Sequence, residues 1–165
     1  MLLKIALLQV LAVDNDPDAN LARGEAACRA AKAMGADLAL FPEMRSIGYE
    51  LGWTEPRPWK HQAIARDDPW LARFAALAAE LQMAIAVTYL ELWPTGGPRN
   101  SLTLFDRAGR PVLTHAKAHL CDWGPEGELT AGDALDVAQL DTAAGPVTLG
   151  ALICYPASSP RAPAR

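Results

Sequence analysis

Cysteine is scarce in this chain, and what there is does not pair up. The three cysteines, Cys28, Cys121 and Cys154, form an odd and widely spaced set. That is poor material for a disulfide framework and fits a reducing, cytoplasmic setting. No Cys-x-x-Cys pair occurs, which argues against a redox thiol protein. Positive charge is not in excess either. The 15 Lys and Arg are outnumbered by 19 Asp and Glu, giving a net charge of −4, so the electrostatic footprint of a nucleic-acid binder is missing. Residues 1–10 are apolar but too short to cross a bilayer, and they lack the basic start and cleavage site of a secretory signal. Neither nucleic acid nor a membrane is therefore expected as a partner. No internal repeat or domain linker breaks the chain. A length of 165 residues with 51% hydrophobic side chains fits one globular domain with a sizeable core.

The hydrophobic pattern supplies the elements. Residues 4–10 read as a short apolar strand, expected to be fully buried. The turn Asp14-Asn15-Asp16-Pro17-Asp18 offers Asp16 or Asp18 as a helix cap. Residues 19–34 show helical spacing through Leu21, Ala26, Ala30 and Met34, and Gly35 sits where a left-handed terminator belongs. A second strand over 36–41 completes a β–α–β unit with parallel strands. Residues 44–68 dissolve into Gly, Pro, Trp and charge, a long loop of the kind that lines a site. An amphipathic helix is expected over 69–82, with strands over 83–89, 100–106, 112–115, 136–140 and 147–153.

Three residues stand where chemistry could be carried. Cys154 closes the apolar run of 147–153. By itself such a thiol is more often core packing, but at a strand end a sharp turn can expose it as a nucleophile. Glu43 ends the run Leu38-Ala39-Leu40-Phe41-Pro42-Glu43. Alone it would be a solvated loop carboxylate; at the carboxyl end of a parallel strand, partly desolvated, it can take a thiol proton. Lys117 lies in Thr114-His115-Ala116-Lys117-Ala118-His119-Leu120. Its default place is the surface, but an ammonium fixed near a carbonyl stabilises a developing oxyanion. His115, His119 and Cys121 would face a metal together only on a helix, and this stretch reads as a strand. Among the five tryptophans, Trp53, Trp59 and Trp123 are either core anchors or the border of a substrate pocket.

Taken jointly, Phe41-Pro42-Glu43, Lys117-Ala118-His119-Leu120 and Ile153-Cys154-Tyr155 resemble the nitrilase, or carbon–nitrogen hydrolase, superfamily. Gly48-Tyr49, Asn100-Ser101-Leu102, Asp106-Arg107-Ala108-Gly109 and Leu129-Thr130-Ala131-Gly132-Asp133 add to the likeness, which runs nearly to the end of the chain. The resemblance implies an α/β fold, the α–β–β–α sandwich of that superfamily, and a Glu–Lys–Cys triad. Glu43 would be the general base, Lys117 the oxyanion stabiliser and Cys154 the nucleophile. The backbone N–H of Tyr155 would give a second oxyanion contact. A supporting glutamate near the lysine is expected at Glu126, with Glu128 a close competitor. The implied reaction is attack on a small amide, carbamoyl or nitrile carbon, loss of ammonia or amine, and hydrolysis of the thioester. No metal or organic cofactor is implied, and a homo-oligomer is compatible with the family's habit of dimerising.

The tail departs from the family pattern. Residues 1–155 read as the N-terminal part of a carbon–nitrogen hydrolase domain, incomplete at its carboxyl end, and 156–165 as an aberrant Pro/Ala/Ser-rich tail. Pro156, Pro160 and Pro163 forbid the regular helix the family places there. Codons can be chosen for residues 157–164 whose alternative frame reads Glu-Phe-Pro-Glu-Ser-Ala-Arg, a family-like run, so a frameshift near Pro156 is one expected origin. The alternative function is then an inactive remnant or interaction module of the same fold.

Overall fold

A computed structural model of the chain describes residues 3–51, 59–121, 124–142 and 145–154. Its main sheet holds β1 (Ile5–Leu7), β2 (Leu38–Leu40), β3 (Ala84–Glu91), β4 (Arg99–Phe105) and β5 (Pro111–Ala116), side by side in that order. The first three strands run parallel; β4 is antiparallel to β3 and β5 to β4. It follows that β1, β2, β3 and β5 all point one way. Their carboxyl ends, with the start of β4, make a single sheet edge. A second sheet is the antiparallel pair β6 (Val137–Thr142) and β7 (Gly145–Gly150).

Helices α1 (Pro17–Ala33) and α2 (Pro69–Leu81) cover one face of the main sheet. Each begins on an aspartate followed by proline: Asp16 accepts from the Ala19 amide at 2.9 Å, Asp68 from Trp70 at 2.8 Å. The sequence placed the apolar stripe of α1 through Leu21, Ala26, Ala30 and Met34. The buried face is instead Asn20, Gly24, Cys28 and Ala31. Small residues win because the helix packs close: a Cβ on Gly24 would lie 2.9 Å from Phe74 Cζ. Helix α2 turns Trp70, Leu71, Phe74, Leu77 and Ala78 to the same layer.

On the other face, Leu38, Ala84, Ala86, Leu102, Leu104 and Leu113 meet Leu140 and Ile153, with Val147 and Leu149 packed against them. The layers are thus helix, sheet, sheet; among the described residues no helix covers the outside of β6 and β7. Strand β3, in the middle, is buried along its whole length. Strand β1 is not, contrary to expectation. It is the edge of the sheet, with Ile5 and Leu7 43% and 64% exposed. Strand β7 also alternates between half-buried and exposed residues. No described helix is long and apolar enough to cross a membrane.

Candidate active site

The edge formed by the carboxyl ends of β2 and β5 and the start of β4 collects the charged residues singled out above. Glu43 lies three residues past β2, in a turn stitched to β3. The Arg45 amide donates to Thr88 Oγ1 at 3.0 Å, the Thr88 hydroxyl donates to the Pro42 carbonyl, and the Leu90 amide donates to Ser46 Oγ at 3.0 Å. Met44, next to Glu43, is buried with φ +58°, a left-handed backbone that a non-glycine residue adopts only when its surroundings hold it there. Arg45 is fully buried, and its guanidinium donates to the carbonyls of Val10, Leu11 and Asn20. The turn carrying Glu43 is therefore anchored on both sides.

Lys117 directly follows β5. Its amide donates to the Asn100 carbonyl and its carbonyl accepts from Gly132, both at 2.8 Å. A side chain at Gly132 would strike the Ala116 carbonyl, so only glycine lets this segment close over the lysine. The Lys117 side chain is fully buried. Its Nζ reaches Glu43 Oε1 at 3.0 Å and also Glu126 Oε1. Burial works against the ammonium, but the hydrogen bonds to Glu126 and Glu43 outweigh it and hold its pKa above the ordinary lysine value. Glu126, on the short helix Gly124–Glu128, also accepts from the Cys121 amide at 3.2 Å and from the Tyr49 hydroxyl. Its own burial would raise its pKa, yet hydrogen bonds from Cys121 and Lys117 keep it lowered.

The structure thus brings Glu43, Lys117 and Glu126 into one bonded cluster. Glu128 points elsewhere and pairs with Lys60 at the surface. Cys154 is exposed at φ +57° and makes no hydrogen bond to Glu43 or Lys117. Its thiol does interact electrostatically with that of Cys121, which is pushed up to about 11, first by its hydrogen bond to Glu126. Tyr155, Trp53 and Trp123 lie outside the described residues, as does the tail from 156 to 165. Trp59 is buried in a core cluster with Met44, Ile47, Leu51 and Leu129. His115 is buried within the strand β5, and burial lowers its pKa.

Two residues had no assigned role in the sequence reading. Asn100 donates from Nδ2 to Glu43 Oε1 at 2.6 Å. Tyr49 bonds Glu126 and lines a cavity of about 590 Å³ that opens beside Glu43. Gln9, Asp14, Pro42 and Glu50 share its lining, whereas Lys117 and Cys154 do not. The only sequence signal for either residue was membership of a family-like motif. Chemically, the cluster offers a half-buried carboxylate as base and a fixed ammonium as electrophile on one sheet edge.

The sequence and the fold both match known proteins. Residues 4–164 match the family model described as carbon-nitrogen hydrolase. A curated Pseudomonas protegens protein, described as a hydrolase in the pqqF 5' region, is 33% identical over 127 residues, 76% of this chain and 42% of its own length. The crystal structure of an amidase from Nesterenkonia sp. matches at 25% identity with TM-score 0.73, over 93% of this chain and 56% of that one. A mutant of that amidase in complex with butyramide matches with TM-score 0.72 over the same shares. The chain spans about half the length of these proteins.

Proposed function

This chain belongs to the carbon–nitrogen hydrolase family, and on that premise we propose that it cleaves small amides or N-carbamoyl compounds through Cys154, Glu43 and Lys117. Glu43 takes the Cys154 proton as the sulfur attacks the carbonyl carbon. The Lys117 ammonium stabilises the oxyanion, together with the Tyr155 backbone N–H. Collapse expels ammonia or amine, which leaves with the proton held by Glu43, and a thioester remains on sulfur. Water, deprotonated by the same carboxylate, then releases the acid and restores the thiol. The observation that carries the reading is the fully buried Lys117 held between two carboxylates, one of which borders an open cavity. Such a charged group is expensive to bury, and buried, strongly perturbed ionisable groups cluster at functional sites. Glu126 serves as the second anchor of the lysine.

The direct test is ammonia release from a panel of small amides and N-carbamoyl compounds, with mass spectrometry of the thioester on Cys154. Turnover that Cys154→Ala leaves unchanged would sink the mechanism. A second reading, an inactive remnant or interaction module, is favoured by one observation: Cys154 is exposed and unbonded to Glu43 and Lys117. Folded protein without turnover or adduct across the panel would decide for that reading.

A further inference from the structure

Both hydrogen bonds to Glu43 end on the same oxygen. Lys117 Nζ approaches Oε1 at 3.0 Å and Asn100 Nδ2 at 2.6 Å, while among the described residues no donor reaches Oε2. Asn100 is buried at the second position of β4, opposite Leu90 of β3, where the rigid centre of the sheet holds its backbone. Among the described residues its side-chain amide makes one bond, the one from Nδ2 to Glu43, and Oδ1 is buried without a partner. The main-chain carbonyl of the same residue accepts the Lys117 amide. One residue therefore ties the carboxylate by its side chain and the ammonium's backbone by its main chain.

We propose that Asn100 is a positioning residue for the general base: with Lys117 it occupies Oε1 of Glu43 and leaves Oε2 as the oxygen that takes the thiol proton. Two donors on Oε1 saturate its lone pairs and make it the poorer proton acceptor. They also fix the carboxylate plane, so Oε2 points in one direction instead of exchanging with its twin by rotation about the last side-chain bond. Lys117 alone cannot do this, because it is shared with Glu126. An amide suits the task better than a charged donor, since it adds no further positive charge to suppress the basicity of the carboxylate. The proposal rests on the reading of Glu43 as the base for Cys154.

The test is the rate of Cys154 alkylation by iodoacetamide in the full chain, resolved from Cys28 and Cys121 by peptide mass spectrometry, so that it does not depend on turnover. Glu43→Gln should slow alkylation at neutral pH. Asn100→Ala should slow it about tenfold, the scale of one charge-assisted hydrogen bond. Asn100→Asp keeps the size and guards against a folding defect in the alanine variant. It should be slower still at pH 7, where the introduced carboxylate repels Glu43. Its rate relative to Asn100→Ala should rise as the pH falls toward 5, because the introduced carboxyl then gains a proton to donate. A merely structural asparagine would not produce that pH-dependent reversal. If Glu43→Gln slows alkylation and both Asn100 variants do not, the positioning role is overturned and the base survives. If Glu43→Gln has no effect, the reading of the base fails and takes this proposal with it.

Discussion

Replacing Glu126 by Gln changes almost nothing but one charge. The residue is buried and keeps its size, and its neighbours Tyr49 and the Cys121 amide can still donate to the remaining oxygen. Lys117 bonds the other carboxylate oxygen, whose place the Gln amide nitrogen then takes, so the whole charge-assisted hydrogen bond from Glu126 to Lys117 disappears. Removing one member of a buried ion pair costs about 3–5 kcal/mol, because the other is left without compensation. Here Glu43 stays on the ammonium, so the loss at neutral pH should be about 2–3 kcal/mol, the scale of a hydrogen bond to a charged group. The pH dependence is more diagnostic than the size. The Glu126 carboxyl is held below its ordinary value, so its contribution is complete above the unfolded glutamate pKa of about 4.3 and is lost as pH falls through the lower folded value. On the alkaline side the raised Lys117 contributes fully below its unfolded value of about 10.4 and loses that contribution only as pH rises through its folded value. Urea unfolding followed by tryptophan fluorescence, wild type against Glu126→Gln, should give a difference that is level between about pH 5 and 8 and shrinks below about pH 4. A negligible difference at neutral pH, or one that persists undiminished in acid, would refute the assignment of Glu126 as an ionised anchor.

Two further outcomes are expected. Gly132→Ala should lower the thermal midpoint by several degrees, on the order of 2 kcal/mol of overpacking against the Ala116 carbonyl, and should disturb Lys117 through its carbonyl; an unchanged melting curve would show that the segment can back away. In native protein a thiol reagent should modify Cys154 first and leave Cys28 untouched until unfolding. Cys28 is fully buried and pushed up to about 12 by that burial, so early modification of Cys28 would mean α1 does not pack as described.

The parts of this fold that depend on neighbours in sequence were legible before the structure. Asp16, offered beside Asp18 as a helix cap, and Gly35 as a terminator mark the ends of α1 through local hydrogen bonds and backbone freedom, and both do so here. The parts that depend on who sits beside whom were not. Leu7 and Ile5 look like core by composition, and only the order of strands shows that they lie on the sheet's edge. The face of α1 was misjudged because close packing selects for smallness, which hydrophobic periodicity does not measure. Glu126 and Glu128 are two residues apart, and the short helix sends one inward to Lys117 and the other outward to Lys60. Asn100 carries no charge that would draw notice; its relevance arises from a carboxylate 57 residues away in sequence.

The bond between Lys117 and Glu43 spans 74 residues of chain, and every strand of the main sheet between β2 and β5 lies within that span. Closing so long a loop has an entropic cost that no local structure offsets, so the pair cannot form early as a seed. With β3 and β4 lying between its two halves, the pair is expected to close after those strands have docked and to be lost when they separate. Any partial opening of the sheet that leaves the helices intact would therefore separate Glu43 from Lys117 while far-ultraviolet signals still look native. Hydrogen exchange at the amides of Lys117 and Gly132 would read that event directly, as a local clock for the competence of the site.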